Sequence, residues 1–216
     1  DVQPKHPWGV ELDENSHLAI DIYDNAFFII ALNHFIELTD RHEAKERWAK
    51  VRDDIKVNTR KYLWDEAKQK FIPYIYLKDS PFPSDFDENS IYYHGGTAMA
   101  IEAGLLSKEE IAAANATMVA NVKASGAPTI GLTLYPPYPE GFFQNKGMYP
   151  YGYQNGGDWT WFGGRMIQQL ILNGFIEEAY QEINPMINRV IKNNGFYEWY
   201  GMGNIPSGSG NFKGSA

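Results

Sequence analysis

The 216-residue sequence carries 19 Lys+Arg against 27 Asp+Glu, a formal net charge of -8, with 44% hydrophobic and 15% aromatic residues and no cysteine. The acidic balance offers no basic stripe to neutralise phosphates, which argues against a nucleic-acid partner. Without cysteine a disulfide or thiolate metal site is excluded, and without an apolar run of membrane length the protein is expected to be soluble, with no membrane partner.

The length suits one globular core, whole or part of a larger domain. The chain opens at Asp1 with no charged start and apolar segment of a signal peptide, from which processing or truncation of the N-terminus is expected. The compartment stays open, periplasmic and secreted locations included. The 14 Tyr and 6 Trp suit either the apolar faces of sugars or a large aromatic core.

From Ser16, residues Ala26, Phe27, Ile30, Ala31, His34, Phe35 and Leu38 fall at steps of three and four, which predicts a helix with one apolar face, closed by Asp40. A second helix is predicted from about Glu43 to Tyr62, with Trp48, Val51, Ile55 and Tyr62 inward and charges such as Lys45, Glu46 and Asp53 outward. Trp64 to Leu77 reads as a polar turn followed by strand-like alternation, and SPFPSDFDEN as a loop. HGGTAMAIEA, near His94 to Ala103, predicts a small apolar helix ended by Gly104. Ser107 to Glu110 form a capping box for its partner, with Ile111, Asn115, Met118 and Val122 buried and an end at Ser125-Gly126.

Prolines between Leu132 and Tyr153 rule out a continuous helix there. Trp159 to Leu172 is predicted helical, with a turn at Gly174. Glu177 to Lys192 returns with Ile183, Met186, Ile187, Val190 and Ile191 on one stripe, bent or started late by Pro185, and Asn193-Asn194-Gly195 is a C-cap signal. An inner helix, a short turn, an outer charged helix and a long loop thus recur three times at roughly 65 to 75 residues. One hairpin cannot bury its own face, so the hairpins must pack side by side, with the long loops on one end as the functional surface.

Four segments in order resemble the six-hairpin, (α/α)6 toroid glycosidases, a group that includes trehalases, processing α-glucosidases, neutral invertases and cellobiose phosphorylases. They are IDIYDNAFFIIALNHF, FDENSIYYHGGTAMAIEAGLLSKEE, YQNGGDWTWFGGRMIQQLILNG and FYEWYG, together covering most of residues 16–204. The resemblance implies an all-α fold in which residues 1–216 are a partial catalytic domain of three hairpins, about half of the barrel, with the remainder of the toroid as a partner. It also implies an inverting glycoside hydrolase acting on α-glucosides or related oligosaccharides, with two carboxylates far enough apart to admit a water, and no metal or other cofactor.

Glu198, in FYEWYG, matches the position of the family's general base, and its aromatic walls and the following glycines suit a partly desolvated carboxylate. A plain surface Glu is the alternative. The family's general acid lies upstream, which places it near Asp1 or outside the chain. Asp158, in NGGDW, is an internal acid candidate that reads equally well as a helix N-cap; Asp21, Asp24 and Asp87 are weaker ones. Tyr153, Gln154 and Asn155 are expected to hydrogen-bond sugar hydroxyls beside Gly156 and Gly157. Trp159, Trp161, Tyr197 and Trp199 complete the expected substrate-binding set, although of two tryptophans two apart on a helix only one can face a pocket squarely.

The five His show no metal-site spacing, and the SGSG at 207–210 reads as a flexible loop rather than a nucleophile turn. A phosphorylase of the same fold would want cations where Glu198 stands. A lyase would want a cation beside a Tyr or His base. A non-catalytic carbohydrate-binding helical repeat is the remaining alternative.

Overall fold

A computed structural model describes residues 4–7 and 12–215, so Asp1 lies outside the described residues. Six helices pair as α1 (Ile22–Leu38) with α2 (His42–Leu63), α3 (His94–Glu102) with α4 (Lys108–Ser125), and α5 (Thr160–Leu172) with α6 (Ile176–Lys192). α3 packs against α1 on one side and α5 on the other, forming an inner row α1–α3–α5, each member backed by its outer partner. This is an all-α, hairpin-built arrangement of the (α/α) toroid class.

Eight short strands decorate it: β1 (Ala19–Asp21), β2 (Trp64–Asp65), β3 (Lys70–Phe71), β4 (Tyr74–Tyr76), β5 (Tyr92–Tyr93), β6 (Leu134–Tyr135), β7 (Tyr197–Gly201) and β8 (Ile205–Gly210). They pair antiparallel as β1 with β4, β2 with β3, β5 with β6 and β7 with β8. The β5–β6 pair joins the two long loops, whose Phe82, Phe86, Phe142 and Phe143 pack around Ile91, Leu134 and Tyr138.

The helix boundaries follow local chemistry. α1 starts at Ile22 rather than Ser16, because Asp21 is extended (φ -131, ψ 169) and its side chain accepts from Asp24 N. The Ser107–Glu110 capping box forms as expected, and Gly126 ends α4 at φ 72. α6 runs through Pro185 from Ile176, so the proline does not delay its start. The SGSG segment, expected as a flexible loop, is strand β8.

Three inward faces differ from expectation. In α1, Ile22, Ala26, Ile29, Ile30 and Leu32 are buried, while Phe27, Phe35 and Leu38 are exposed, Leu38 at 81%. The helix is apolar on more than one side, so the residue steps did not single out the side facing α3. In α2, Thr59 and Leu63 are buried and Tyr62 is exposed. In α6, Met186 and Arg189 are buried, whereas Ile187 and Ile191 are exposed. An arginine with a buried partner took a position that apolar periodicity could not assign.

Gly95 and Gly96 set the spacing of the inner row. A Cβ on Gly96 would lie 2.6 Å from Ile22 Cγ2 of α1, and one on Gly95 would lie 2.7 Å from Phe162 Cε1 of α5. Gly164, on α5, has nothing within 4 Å of its Cβ direction. We therefore expect Gly96→Ala to lower stability by roughly 1–3 kcal/mol through overpacking, and Gly164→Ala to raise it by up to about 1 kcal/mol through helix propensity. Urea unfolding of both variants beside the parent checks this; a neutral Gly96→Ala would remove the close-approach argument.

Candidate functional site

The YQNGGDW segment runs between two others. Asp158 exchanges backbone hydrogen bonds with Tyr200 of β7 (3.0 and 2.8 Å), while Trp159 N donates to Gly131 O at 2.7 Å and Thr133 N to Gly157 O at 3.0 Å. Residues 129–133, the NGGDW turn and β7 thereby lock into one small unit at the N-terminus of α5. Gly157 permits this, since a Cβ there would overlap Tyr153 O.

Within this unit Asp158 is a structural carboxylate, neither a pocket acid nor an N-cap. Its side chain is 3% exposed and pairs with Arg189 Nη1 at 2.8 Å. Thr129 donates to it from its backbone N (3.1 Å) and its hydroxyl (2.7 and 2.8 Å). Arg189 also donates to Thr160 Oγ1 at 2.9 Å and lies over the Tyr200 ring at 4.0 Å. Burial pushes the Asp158 carboxyl up, and Arg189 and Thr129 pull it back.

Asn155 is likewise engaged by the protein. Its Oδ1 accepts from Tyr138 N at 2.7 Å, and its Nδ2 donates to Tyr138 O and Met148 O at 3.0 and 2.9 Å. A fully buried amide clamping loop backbone has no face left for a sugar hydroxyl, which corrects its expected role. Trp161 packs between α5 and α1 against Tyr23 and Phe162, with Arg165 over its ring at 4.4 Å. It is inter-helix packing rather than a pocket wall.

Three expected aromatics, Tyr153, Trp159 and Trp199, pack together, and Trp199 belongs to the same strand as Glu198. Glu198 lies in β7, where the register to β8 shifts between Tyr197 and Trp199. Its Oε2 accepts from Ser209 N at 2.9 Å, and Gly208 (φ +68) leaves the space, since a Cβ there would lie 2.5 Å from that oxygen. The Tyr153 ring contacts Trp159 at 5.3 Å and Trp199 at 6.3 Å between centroids. Burial and the Glu198 charge raise the Tyr153 phenol. Trp159 and Trp199 are both buried, and Trp159 Nε1 donates to Tyr153 O at 3.0 Å. Tyr197, half-buried, lies edge-on to Tyr200.

Gln154 faces elsewhere, into a cavity of about 480 Å³ at the N-terminal end of the inner helix row, where Asp21, Asp24, Tyr74, Tyr76, Tyr93 and Tyr138 also line the wall. Tyr93 Oη lies 3.1 Å from Tyr74 Oη and 3.0 Å from Tyr138 Oη; Tyr76 donates to Glu88 Oε1 at 2.8 Å, and Tyr138 donates to the same oxygen. Burial raises the Glu88 carboxyl, and raises Asp21 to about 6. Sequence reasoning missed the tyrosines and Glu88, and ranked Asp21 low. The only signal was the YIY and IYY alternation beside the Pro-rich loop. Among the described residues no group of three His, Asp or Glu converges as a metal site, and no helix is long and apolar enough to cross a membrane.

Three side-by-side hairpins with loops and aromatics gathered at one end define a toroid-class helical domain. No protein-family model and no curated protein sequence matches the chain. Among solved structures, it is similar to GH63 mannosylglycerate hydrolase from Thermus thermophilus. The complex with Tris and D-glycerate gives a TM-score of 0.66 at 17% identity over 91% of this chain and 44% of that one. The glucose complex gives 0.66 at 19% identity over 92% and 44%. An uncharacterized conserved protein of the same organism gives 0.67 at 18% identity over 92% and 45%. The chain thus spans under half the length of these neighbours.

Two outcomes are expected from this geometry. Arg189→Met leaves the buried Asp158 unpaired and should cost about 3–5 kcal/mol in urea unfolding; a loss under about 1 kcal/mol would show that the pair is not what holds the unit. For Asp21, the folded pKa of about 6 lies above the ordinary value of 3.8. The folded state therefore holds the extra proton between these values, so Asp21 makes stability fall as pH rises through that window and stay down above it. Asp21→Asn should consequently stabilise the protein at pH 7.5 by roughly 1–3 kcal/mol relative to its effect at pH 3.5. Equal effects at both pH values would contradict it.

Proposed function

We propose that the protein acts as a glycoside hydrolase on α-glucosides or related oligosaccharides, by inversion, with Glu198 as the general base. The observation that carries the reading is the half-buried placement of Glu198 on the β7–β8 hairpin, where its carboxylate accepts from Ser209 N and its charge raises the Tyr153 phenol. The similarity to GH63 hydrolase structures supports it. In this role the carboxylate accepts a proton from a water attacking the anomeric carbon, and the half-buried Tyr153 ring, backed by the buried Trp159 and Trp199, covers the apolar face of the sugar.

The acid is a different carboxyl from Asp158, because a group held by Arg189 and Thr129 has no route to a leaving oxygen. In this reading the acid lies upstream, near Asp1 or on the remainder of the toroid. That remainder is itself part of the proposal. The row ends expose Phe27, Phe28, Phe35 and Leu38 on α1 and Leu172, Ile176, Tyr180 and Ile191 on α5 and α6, and exposed apolar side chains at both ends suit further hairpins packing on either side. No cofactor is invoked. The alternative, a non-catalytic carbohydrate-binding module, keeps the aromatics but gives Glu198 no proton to move.

In the intact protein, Glu198→Gln should leave sugar affinity within a few-fold and lower turnover of an α-glucoside by roughly 10³-fold or more. The starting activity is read as the anomer released, by NMR. A loss below about tenfold removes Glu198 as base, and an intact protein that binds sugar without turnover favours the binding module.

A further inference from the structure

Apart from the Glu198 group, three phenols stand in line and end on a carboxyl. Glu88 opens a one-turn 3-10 helix, Glu88–Ser90, in the first long loop, and its Oε1 accepts from Tyr76 of β4 and from Tyr138 of the second long loop. Tyr138 Oη lies 3.0 Å from Tyr93 Oη of β5, which lies 3.1 Å from Tyr74 Oη of β4. Tyr74 borders the cavity, opposite Asp21 in the β1–β4 pair. The line thus runs from a carboxyl in one loop to the wall of the cavity.

A phenol has one proton to donate, while its oxygen can also accept. Each link therefore fixes the sense of the next. With Glu88 ionised, Tyr138 donates to the carboxylate, so Tyr93 donates to Tyr138 and Tyr74 to Tyr93. With a proton on Glu88 Oε1, the carboxyl donates to Tyr138, Tyr138 to Tyr93 and Tyr93 to Tyr74, and the Tyr74 proton is released from the line. Either uniform sense places one proton in every link. A mixed sense leaves two oxygens facing each other at 3.0 or 3.1 Å with no proton between them. Bonds in such a line also polarise one another, which favours the two uniform senses over any mixture.

Glu88 is set to take up that proton. Burial raises its carboxyl above the ordinary value of 4.5, and the bonds from Tyr138 and Tyr76 oppose the rise. The phenols that face it, on β4, β5 and the second long loop, are Tyr76, Tyr93 and Tyr138, each raised by burial and in addition by the Glu88 charge. On the adjoining β2–β3 hairpin, Lys68 and Lys70 donate to the carbonyls of Asn89 and Ile91, and Lys70 is lowered to about 8 by burial and Lys68, against Asp65 and Asp87. At the far end, Tyr74 is raised by burial and then by Tyr93, Asp21 and Tyr76. A response of Tyr74 to Glu88 is therefore expected to travel along the line rather than through the field.

We propose that Glu88 and the three phenols form a proton-controlled relay, in which one proton taken up at Glu88 reverses the line and turns the Tyr74 hydroxyl at the cavity wall from an acceptor into a free donor. The step is a rotation of three O–H bonds; the added proton comes from solvent and stays on Glu88. The hydrogen-bonding character of the cavity wall at Tyr74 is thereby set by pH through a carboxyl in the loop above it. Neither Glu198 nor glycoside hydrolysis enters the relay, so loss of either leaves it standing.

The test is carbon-13 NMR of the intact protein labelled at tyrosine Cζ and titrated downward from about pH 8, with the signals assigned by single Tyr→Phe variants. It is run on Asp21→Asn, which keeps a capping side chain for α1, because the Asp21 charge also acts on Tyr74 and Tyr93. Tyr138, Tyr93 and Tyr74 should shift together with one midpoint above 4.5, the ordinary value for a glutamate. Tyr93→Phe should abolish the Tyr74 shift and leave that of Tyr138, and Tyr138→Phe, which cuts the line one link earlier, should silence Tyr74 as well. Glu88→Gln should remove the common midpoint from all three. Tyr138 shifting without Tyr74 would mean that a proton on Glu88 leaves the line unturned, and overturns the proposal. So does a Tyr74 shift that survives Tyr93→Phe, a common midpoint that survives Glu88→Gln, or signals that stay flat down to acid unfolding.

Discussion

The buried pair between Asp158 and Arg189 organises this end of the molecule. Asp158 belongs to the turn that starts α5, Arg189 to the middle of α6, Thr129 to the segment after α4, and Tyr200, under the guanidinium, to β7. Four pieces of chain distant in sequence therefore meet at one charge. Taking both ions out of water is costly, and the attraction is offset less by that cost because Thr129 also donates to the carboxylate from its backbone N and its hydroxyl. Its effect is to specify: β7 has one strong way to lie against the NGGDW turn, and that position fixes where Glu198, two residues before Tyr200, can be.

The same interaction explains what could be read from the sequence and what could not. Helix existence, the capping box at Ser107, the glycine end at Gly126 and the threefold hairpin spacing depend on neighbours in sequence, and all stand in the structure close to where local patterns put them. The roles of Asp158 and Asn155 depend on residues elsewhere in the chain. Their partners, Arg189 and Thr129 for one and Tyr138 and Met148 for the other, carry no mark of that pairing. An aspartate before a helix looks the same whether it caps, reacts or holds a buried arginine. Likewise α6 offered an apolar stripe through Ile187 and Ile191, yet turned Arg189 inward, since a completed ion pair competes with apolar burial for the interior.

The inner row shows a second constraint, one of distance. α3 carries Gly95 and Gly96 where α5 and α1 approach, so Phe162 and Ile22 meet helix backbone rather than side chains. Close inner helices narrow the end at which their N-termini gather, and the strands and loops must then line that end. This is why Asp21, the cap of α1, becomes a cavity residue: the extended conformation that ends helix periodicity also pairs it with Tyr74 on β4.

Carboxylates of one chain thus sit in three electrostatic settings. Asp158 is buried with three donors, Thr129 N, the Thr129 hydroxyl and Arg189. Asp21 is buried with backbone donors, and burial raises its pKa to about 6. Glu198 is half-buried on a hairpin with one backbone donor from Ser209. Chemistry that moves a proton needs a carboxyl that can gain and lose it near working pH while reaching a ligand. Asp158 fails on reach, for its oxygens face Thr129 and Arg189. Asp21 borders a cavity rich in phenols. A carboxylate's capacity to act here is set by what already occupies its lone pairs. For Asp158 the occupants arrive from two other parts of the chain, whereas Asp21 accepts from the first turn of the helix it caps, and Glu198 from the strand it pairs with.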